Sequence, residues 1–404
     1  MERKKSKIAT ADSPGKKVWK RFKSNGPAFV SLLFVCLAIF VSVFAYTFIP
    51  DNTPLSNRMN LALSNQSPGF EVQLIKIPKS NVVSENYFSQ IFFGARDNYD
   101  FIPVVNAKIS GSKIIFQEFT GDDSQVIMDS LNLILIAVPV KEKTIIHSDG
   151  SIISAIGTNN ILHQFSITEL KEKFYNESLI HKKFYFGTDR YGRDLLSRIL
   201  AGTRVTFGVG LVAVLISLFV GLILGSLAGF FRGRIDQFVL WLINVTWSIP
   251  TLLLVIAITL VMGKGFEQVF IAVGLTMWVE VARIVRSQLF AVRELEYVTA
   301  GKALGYRSSR IIIFHMLPNI VGPVLVVAAA NFSTAILLEA GLSFLGIGAQ
   351  PPTPSWGAMI KENYGYIIIP GSAYLAILPG VAIMMMTMAF TFVANGLRDA
   401  FDAK

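Results

Sequence analysis

Val205-Thr-Phe-Gly-Val-Gly-Leu-Val-Ala-Val-Leu-Ile-Ser-Leu-Phe-Val-Gly-Leu-Ile-Leu-Gly-Ser-Leu-Ala-Gly-Phe-Phe231 carries no ionisable side chain. A hydrocarbon layer about 30 Å thick takes about 20 helical residues to cross, so this stretch is long enough to span one. Lipid offers no hydrogen-bond partner to a bare backbone, which restricts such a crossing to a helix. Working outward, 28–49, 238–262, 319–347 and 366–393 read as further spans, with Glu339 the one charge in 319–347. A sixth, 268–290, contains Glu280, Arg283 and Arg286. Arginine near a helix end can snorkel, and Glu280 is spaced to pair with Arg283.

The composition agrees. Of 404 residues, 52% are hydrophobic and 16% charged, with a mean hydropathy of +0.52; a soluble surface takes about 25% charge. The net charge of +10 would suggest nucleic acid in a soluble chain, but the bases are placed as topology signals. Arg3, Lys4, Lys5, Lys7, Lys16, Lys17, Lys20, Arg21 and Lys23 precede the first span. That puts 1–27 in the cytoplasm. The 28–49 run is long for a signal peptide and shows no small-x-small site before Asp51, so it reads as an uncleaved anchor. Six crossings then return the C-terminus to the cytoplasm. The 291–318 loop falls inside, where Arg283, Arg286, Arg293, Lys302, Arg307 and Arg310 outnumber Glu294 and Glu296; the outer loops hold only Lys264 with Glu267 and Lys361 with Glu362. The class expected is an all-α polytopic membrane protein with both termini in the cytoplasm.

Residues 50–186 interrupt this pattern. Between Asp51 and Phe186 the chain holds 12 bases and 14 acids, the composition of a soluble domain, here extracytoplasmic and inserted between the first two spans. Lys113–Phe119 and Leu131–Val140 read as strands and Ile167–Asn176 as a helix, giving α+β. Cys36 is the single cysteine, so no intrachain disulfide can staple the insert. His147, His163 and His181 lack companions at metal-ligand spacing. The insert reads as a docking or assembly element rather than a catalytic one.

The most informative stretch is Glu294-Leu-Glu-Tyr-Val-Thr-Ala-Gly-Lys-Ala-Leu-Gly-Tyr-Arg-Ser-Ser-Arg-Ile-Ile-Ile-Phe-His-Met-Leu-Pro-Asn319. Acids come first, matching a helix dipole, and Gly305 stands as a stop. Ala300, Gly301 and Ala303 leave little side chain on the helix surface, which invites close approach by another protein.

This stretch resembles the EAA loop of ABC-importer permeases: Glu-Ala-Ala, three residues, Gly, nine residues, then Ile-x-Leu-Pro. Thr299-Ala300-Gly301 stands at Glu-Ala-Ala, Gly305 holds the glycine, and Leu317-Pro318 closes the pattern. Thr299 replaces the glutamate and His315 the isoleucine; Glu296, one turn earlier, is the acid available in its stead. Gly187–Arg198, Leu337–Gly346 and Gln350–Gly357 are similar to the peptide and nickel branch, and to its second permease subunit. The resemblance covers 187–398 and the anchor. It implies the type-1 importer permease fold, six helices in all, with a core at 187–404 and transport without catalysis. It implies that Glu296, Thr299, Ala300, Gly301, Ala303, Leu304, Gly305, Leu317 and Pro318 couple the chain to an ATPase. The partners implied are a second, homologous permease, two cytoplasmic ATPase subunits, an extracytoplasmic solute-binding protein and membrane lipid, but no nucleic acid. No GxxxxGK[ST] loop occurs in the chain, so ATP and Mg are left to the partners.

Glu339 lies 20 residues past Asn319, about 30 Å along a helix, and is expected at the outer surface, with a place in the substrate path as the other reading. Pro250, Pro370 and Pro379 interrupt apolar segments, and Trp241, Trp247 and Trp278 read as packing or interfacial anchors. Two further readings stay open: a nickel-chelate importer permease, and a membrane-anchored receptor with 51–186 as its sensor. A secondary transporter is disfavoured by the lack of a visible internal repeat.

Overall fold

The computed structural model describes residues 13–80, 86–121, 126–140, 146–149, 151–158, 160–263 and 265–402. Arg3, Lys4, Lys5, Lys7 and Lys264 lie outside them. The helices are α1 (Pro14–Ser24), α2 (Gly26–Phe48), α3 (Tyr87–Phe93), α4 (Ile167–Lys173), α5 (Leu195–Phe231), α6 (Gly233–Trp247), α7 (Thr251–Met262), α8 (Phe266–Arg293), α9 (Glu296–Ala303), α10 (Ser308–Arg310), α11 (Val321–Leu345), α12 (Trp356–Asn363) and α13 (Tyr374–Asp402). Among the described residues five helical stretches are long and apolar enough to cross a membrane: Gly26–Phe48, Leu195–Phe231, Glu267–Arg293, Ser308–Leu345 and Tyr374–Asp402.

Two expected helices are corrected in their course. The 238–262 run is not one helix, because α6 and α7 meet at a 90° bend. Pro250, which has no N–H and restricts the residue before it, sits at the break. The 366–393 run becomes helical only at Tyr374, after the 3-10 turn Tyr364–Ile368, Pro370 and Gly371 at φ +80°. Pro379, by contrast, lies inside α13.

The chain forms two compact units. One comprises 1–39, 205–350 and 380–404. Here α5 presents Gly221, Gly225 and Gly229 to α8. A Cβ on Gly225 would lie 2.6 Å from the Ala282 carbonyl oxygen, and one on Gly229 would lie 2.8 Å from the Leu289 Cβ. Glycine at every fourth position lets two backbones touch, which is how helices adhere in lipid, where water exclusion supplies no force. Phe332 stacks on Phe390 at 4.1 Å between α11 and α13.

The other unit comprises 40–204 and 351–379. Its strands are β1 (Phe70–Pro78), β2 (Tyr99–Ser110), β3 (Lys113–Glu118), β4 (Ile127–Asn132), β5 (His147–Asp149), β6 (Ile152–Ile156), β7 (Leu162–Ser166) and β8 (Leu179–Phe184). They form an antiparallel five-stranded sheet in the order β4-β3-β2-β1-β8 and a three-stranded sheet β5-β6-β7. The run 131–140 is not a strand throughout: β4 ends at Asn132, and Leu133–Ile136 is a 3-10 turn. A strand would turn alternate residues outward, whereas the turn buries Leu133, Ile134 and Ile136 together, against Ile75, Phe116 and Phe174. The expected helix at 167 forms as α4, continued by a wider turn over Phe174–Ser178. Phe70 pairs with Phe184 across β1 and β8, so the sheet region begins and ends at one place.

Beneath the sheets, two motifs of the sequence meet. Arg193, 1% exposed, donates from Nε to Asp189 Oδ2 (2.6 Å), from Nη1 to Asn57 Oδ1 (3.2 Å) and from Nη2 to Glu362 Oε2 (2.8 Å). The Asp189 carboxylate also accepts the backbone N–H groups of Tyr191 and Arg193. Trp356 donates its indole N–H to the Ile199 carbonyl at 2.9 Å, and Gly202 lies flush under its ring. The Gly187–Arg198 and Gln350–Gly357 motifs are thus the two sides of one buried junction, and residues 51–68 belong to it through Asn57.

Replacing Arg193 strands the buried Asp189 carboxylate and leaves the part-buried one of Glu362 without its guanidinium. Arg193→Met is expected to cost about 3–5 kcal/mol, measured as lost thermal stability of the purified chain in detergent, and adding Glu362→Gln should restore part of it.

Candidate functional site

The 291–320 connection is held by its inner face. Val298 and Gly301 of α9 are buried, and Val298 packs with Leu289 and Val292 of α8 and with Ile311, Met316 and Ile320. Glu296 stands in the first turn of α9 and Lys302 in the last, each at the favourable end of the helix dipole. Burial and the charges of Arg293 and Arg232 pull the Lys302 ammonium below its usual range, against Glu294.

The helix ends in a Schellman closure. Tyr306 N–H donates to the Gly301 carbonyl at 3.0 Å and Gly305 N–H to that of Lys302 at 3.0 Å. Gly305 is at φ +75°, the left-handed conformation that glycine takes at least cost. Gly301 faces inward, contrary to expectation: the Tyr306 ring lies over it, 3.6 Å from where a Cβ would stand. The small residues offered outward are therefore Ala300 and Ala303, beside exposed Glu296 and Thr299 and with Leu304 71% exposed.

The chain then winds irregularly. Pro318 cannot donate into a regular α-helical ladder, and Ile311–Met316 widens to a π-turn before Leu317–Ile320 tightens to 3-10. Asn319 ties this segment back, donating from Nδ2 to the Tyr297 hydroxyl (2.9 Å) and to the His315 carbonyl (2.7 Å). His315 stacks on Tyr306 at 6.0 Å, so the residue that departs from isoleucine has a packing partner of its own. Phe314 is 69% exposed and Ile313 53%; Leu317 is half-buried and Pro318 exposed. Reading the sequence did not single out Tyr306, Phe314 or Asn319. The signal available was an aromatic one residue past the glycine stop.

Residues 221–404 match the family described as the inner membrane component of binding-protein-dependent transport systems, and 13–68 match the N-terminal TM domain of oligopeptide transport permease C. A dipeptide transport system permease protein of Alkalihalophilus pseudofirmus is 38% identical over 220 residues, 54% of this chain and 72% of that one. The chain belongs to this permease family. A glutathione transport system permease protein of Pectobacterium atrosepticum is 37% identical over 54% of this chain and 72% of its own. An oligopeptide transport system permease protein of Bacillus subtilis is 37% identical over 55% and 72%. Among solved structures, a chain of the MetNI methionine ABC transporter in inward-facing conformations covers 50% of this chain and 96% of its own at 19% identity, with a TM-score of 0.39, too low to carry comparison further. Among the described residues, all eight strands fall between the two matched ranges.

Two acids of the permease depart from expectation. Glu339 is 2% exposed rather than at a surface; it accepts a hydrogen bond from Ser343 Oγ at 2.7 Å, and that hydroxyl in turn accepts from Ala349 N–H at 3.0 Å. It therefore braces the end of α11. Glu280 forms no ion pair with Arg283, whose guanidinium lies 3.9 Å over the Trp247 ring. Arg286 is held by both carboxylate oxygens of Asp236. Glu280, Arg283, Arg286, Asn244 and Arg398 line a cavity of about 690 Å³ within the helical unit.

Gly305→Val puts a β-branched side chain at positive φ with no neighbour involved, and is expected to destabilise the end of α9 by about 1–2 kcal/mol. Hydrogen exchange at the amides of 304–306 should accelerate about tenfold, and less in Gly305→Asn. Unchanged exchange in the valine variant would exclude the closure as what ends the helix.

Proposed function

We propose that this permease moves dipeptides or oligopeptides into a bacterial cell, working with a second, homologous permease, two ATPase subunits that consume ATP and Mg, and an extracytoplasmic solute-binding protein. The dipeptide, glutathione and oligopeptide transport of its relatives supports the substrate class. The observation that carries the coupling reading is the outward face of α9, where Ala300 and Ala303 leave the helix backbone approachable and Leu304 offers an exposed apolar anchor.

In this reading Glu296, Thr299, Ala300, Ala303 and Leu304 touch the ATPase, while Gly301, Gly305, Leu317 and Pro318 shape the segment. Val298 locks α9 to α8 and to the entry of α11, so a displacement of α9 moves those helices as one body. ATP-driven closure of the ATPases below would thereby reorient the helices and alternate access to the path between the two permeases.

The same reading takes six crossings, with both termini and 291–318 in the cytoplasm and 50–186 outside. The α6–α7 pair must then cross once despite its bend. Charge supports this: Arg232 and Arg234 follow α5 and the basic loop follows α8, and a re-entrant pair would put these on opposite sides.

Two measurements test the proposal. In a Cys36→Ser background, a cysteine at Ser130 should react with an impermeant maleimide from outside while one at Ser309 does not; the reverse pattern would refute the topology. Ala300→Trp should abolish peptide uptake and co-purification of the ATPase while membrane abundance stays normal. Full uptake in that variant would show that α9 does not dock.

A further inference from the structure

Helix α3 reads Tyr87-Phe-Ser-Gln-Ile-Phe-Phe93 and buries none of its side chains. Tyr87 is 66% exposed, Phe88 70%, Phe92 42% and Phe93 73%. Four aromatic side chains on one short uncharged helix form a patch that water does not favour.

The helix is tethered at a defined height. Gly94, which ends it at φ +84°, lies so close to the Asn52–Pro54 backbone that a Cβ would stand 2.9 Å from the Asn52 carbonyl oxygen, and Ala95 N–H donates to that same oxygen at 2.8 Å. That segment in turn folds back on α2: Leu55 N–H donates to the Tyr46 hydroxyl at 3.0 Å, and Tyr46 lies in the last turn of α2. The C-terminal end of α3 is therefore held beside the end of a membrane span. At that depth the bilayer passes from acyl chains to headgroups, the zone where tyrosine rings sit and where the phenylalanine-bearing faces of interfacial helices are buried.

We propose that α3 lies in the membrane interface and inserts Phe88, Phe92 and Phe93 among the lipids beside the exit of α2. This anchor requires only that α2 spans a bilayer; it depends neither on the substrate nor on the coupling surface. Lipid is the occupant because the patch sits where the span itself meets lipid, and because the helix offers no charge or buried polar group for a protein partner to recognise.

The test uses the full-length chain with Cys36→Ser in lipid nanodiscs, nitroxide-labelled at Phe88→Cys and, separately, at Phe93→Cys, with Ser130→Cys on β4 as the aqueous control. Electron paramagnetic resonance should show collision with oxygen favoured several-fold over a water-soluble nickel chelate at 88 and 93 relative to 130, at a depth of about 5–10 Å. Accessibility to the nickel chelate equal to that at 130 would overturn the proposal. So would shielding from both reagents, which would mean that a protein covers the patch.

Discussion

Nothing presses two helices together in hydrocarbon the way water does in a soluble core, so the helical unit depends on how closely α5 and α8 can approach. Gly221, Gly225 and Gly229 set that distance, each with carbonyl oxygens or side-chain carbons of α8 where a Cβ would be. The consequence runs on to the surface. The C-terminal half of α8 carries Leu289 and Val292, these seat Val298, Ile311 and Met316, and on that platform α9 is displayed. A change of a few tenths of an ångström at the glycines would thus be felt where α9 meets its surroundings.

The second unit uses a different adhesive. Arg193 has every polar neighbour at hydrogen-bond distance and almost no water, which makes the junction all-or-none: complete, it fixes segments more than a hundred residues apart in sequence; with one partner missing, it leaves a buried charge. This explains why Gly187–Arg198 and Gln350–Gly357 are recognisable as motifs. They are complementary surfaces, and neither can drift alone.

Hydropathy reported the existence and approximate bounds of the long helices because apolar length is a one-dimensional property. It missed the break within 238–262 and set the start of the last helix too early, because composition there is uniformly apolar and the outcome turns on single backbone residues, Pro250 and Gly371. It also misread Leu133–Ile136, since a continuous apolar run does not distinguish a buried strand from a turn packed on all sides. At α9 the order of acids, small residues and glycine made the helix and its stop legible in advance. Which small residue faces inward was not, because Gly301 is turned by its contact with Tyr306, a tertiary matter. For Glu339, arithmetic along an ideal helix locates a residue in depth but says nothing of which side its neighbours occupy, so the burial of its side chain was not legible.

The pairing of Phe70 with Phe184 gives the sheet region adjacent entry and exit points, as in a hairpin of domain size. Length added between those points leaves the separation of the flanking segments unchanged. Evolution can therefore enlarge, trim or exchange this part of the gene by recombination while every span keeps its register, so that a common translocating scaffold can carry inserted domains of very different mass. The same port would accept a fluorescent protein or an affinity module by simple splicing.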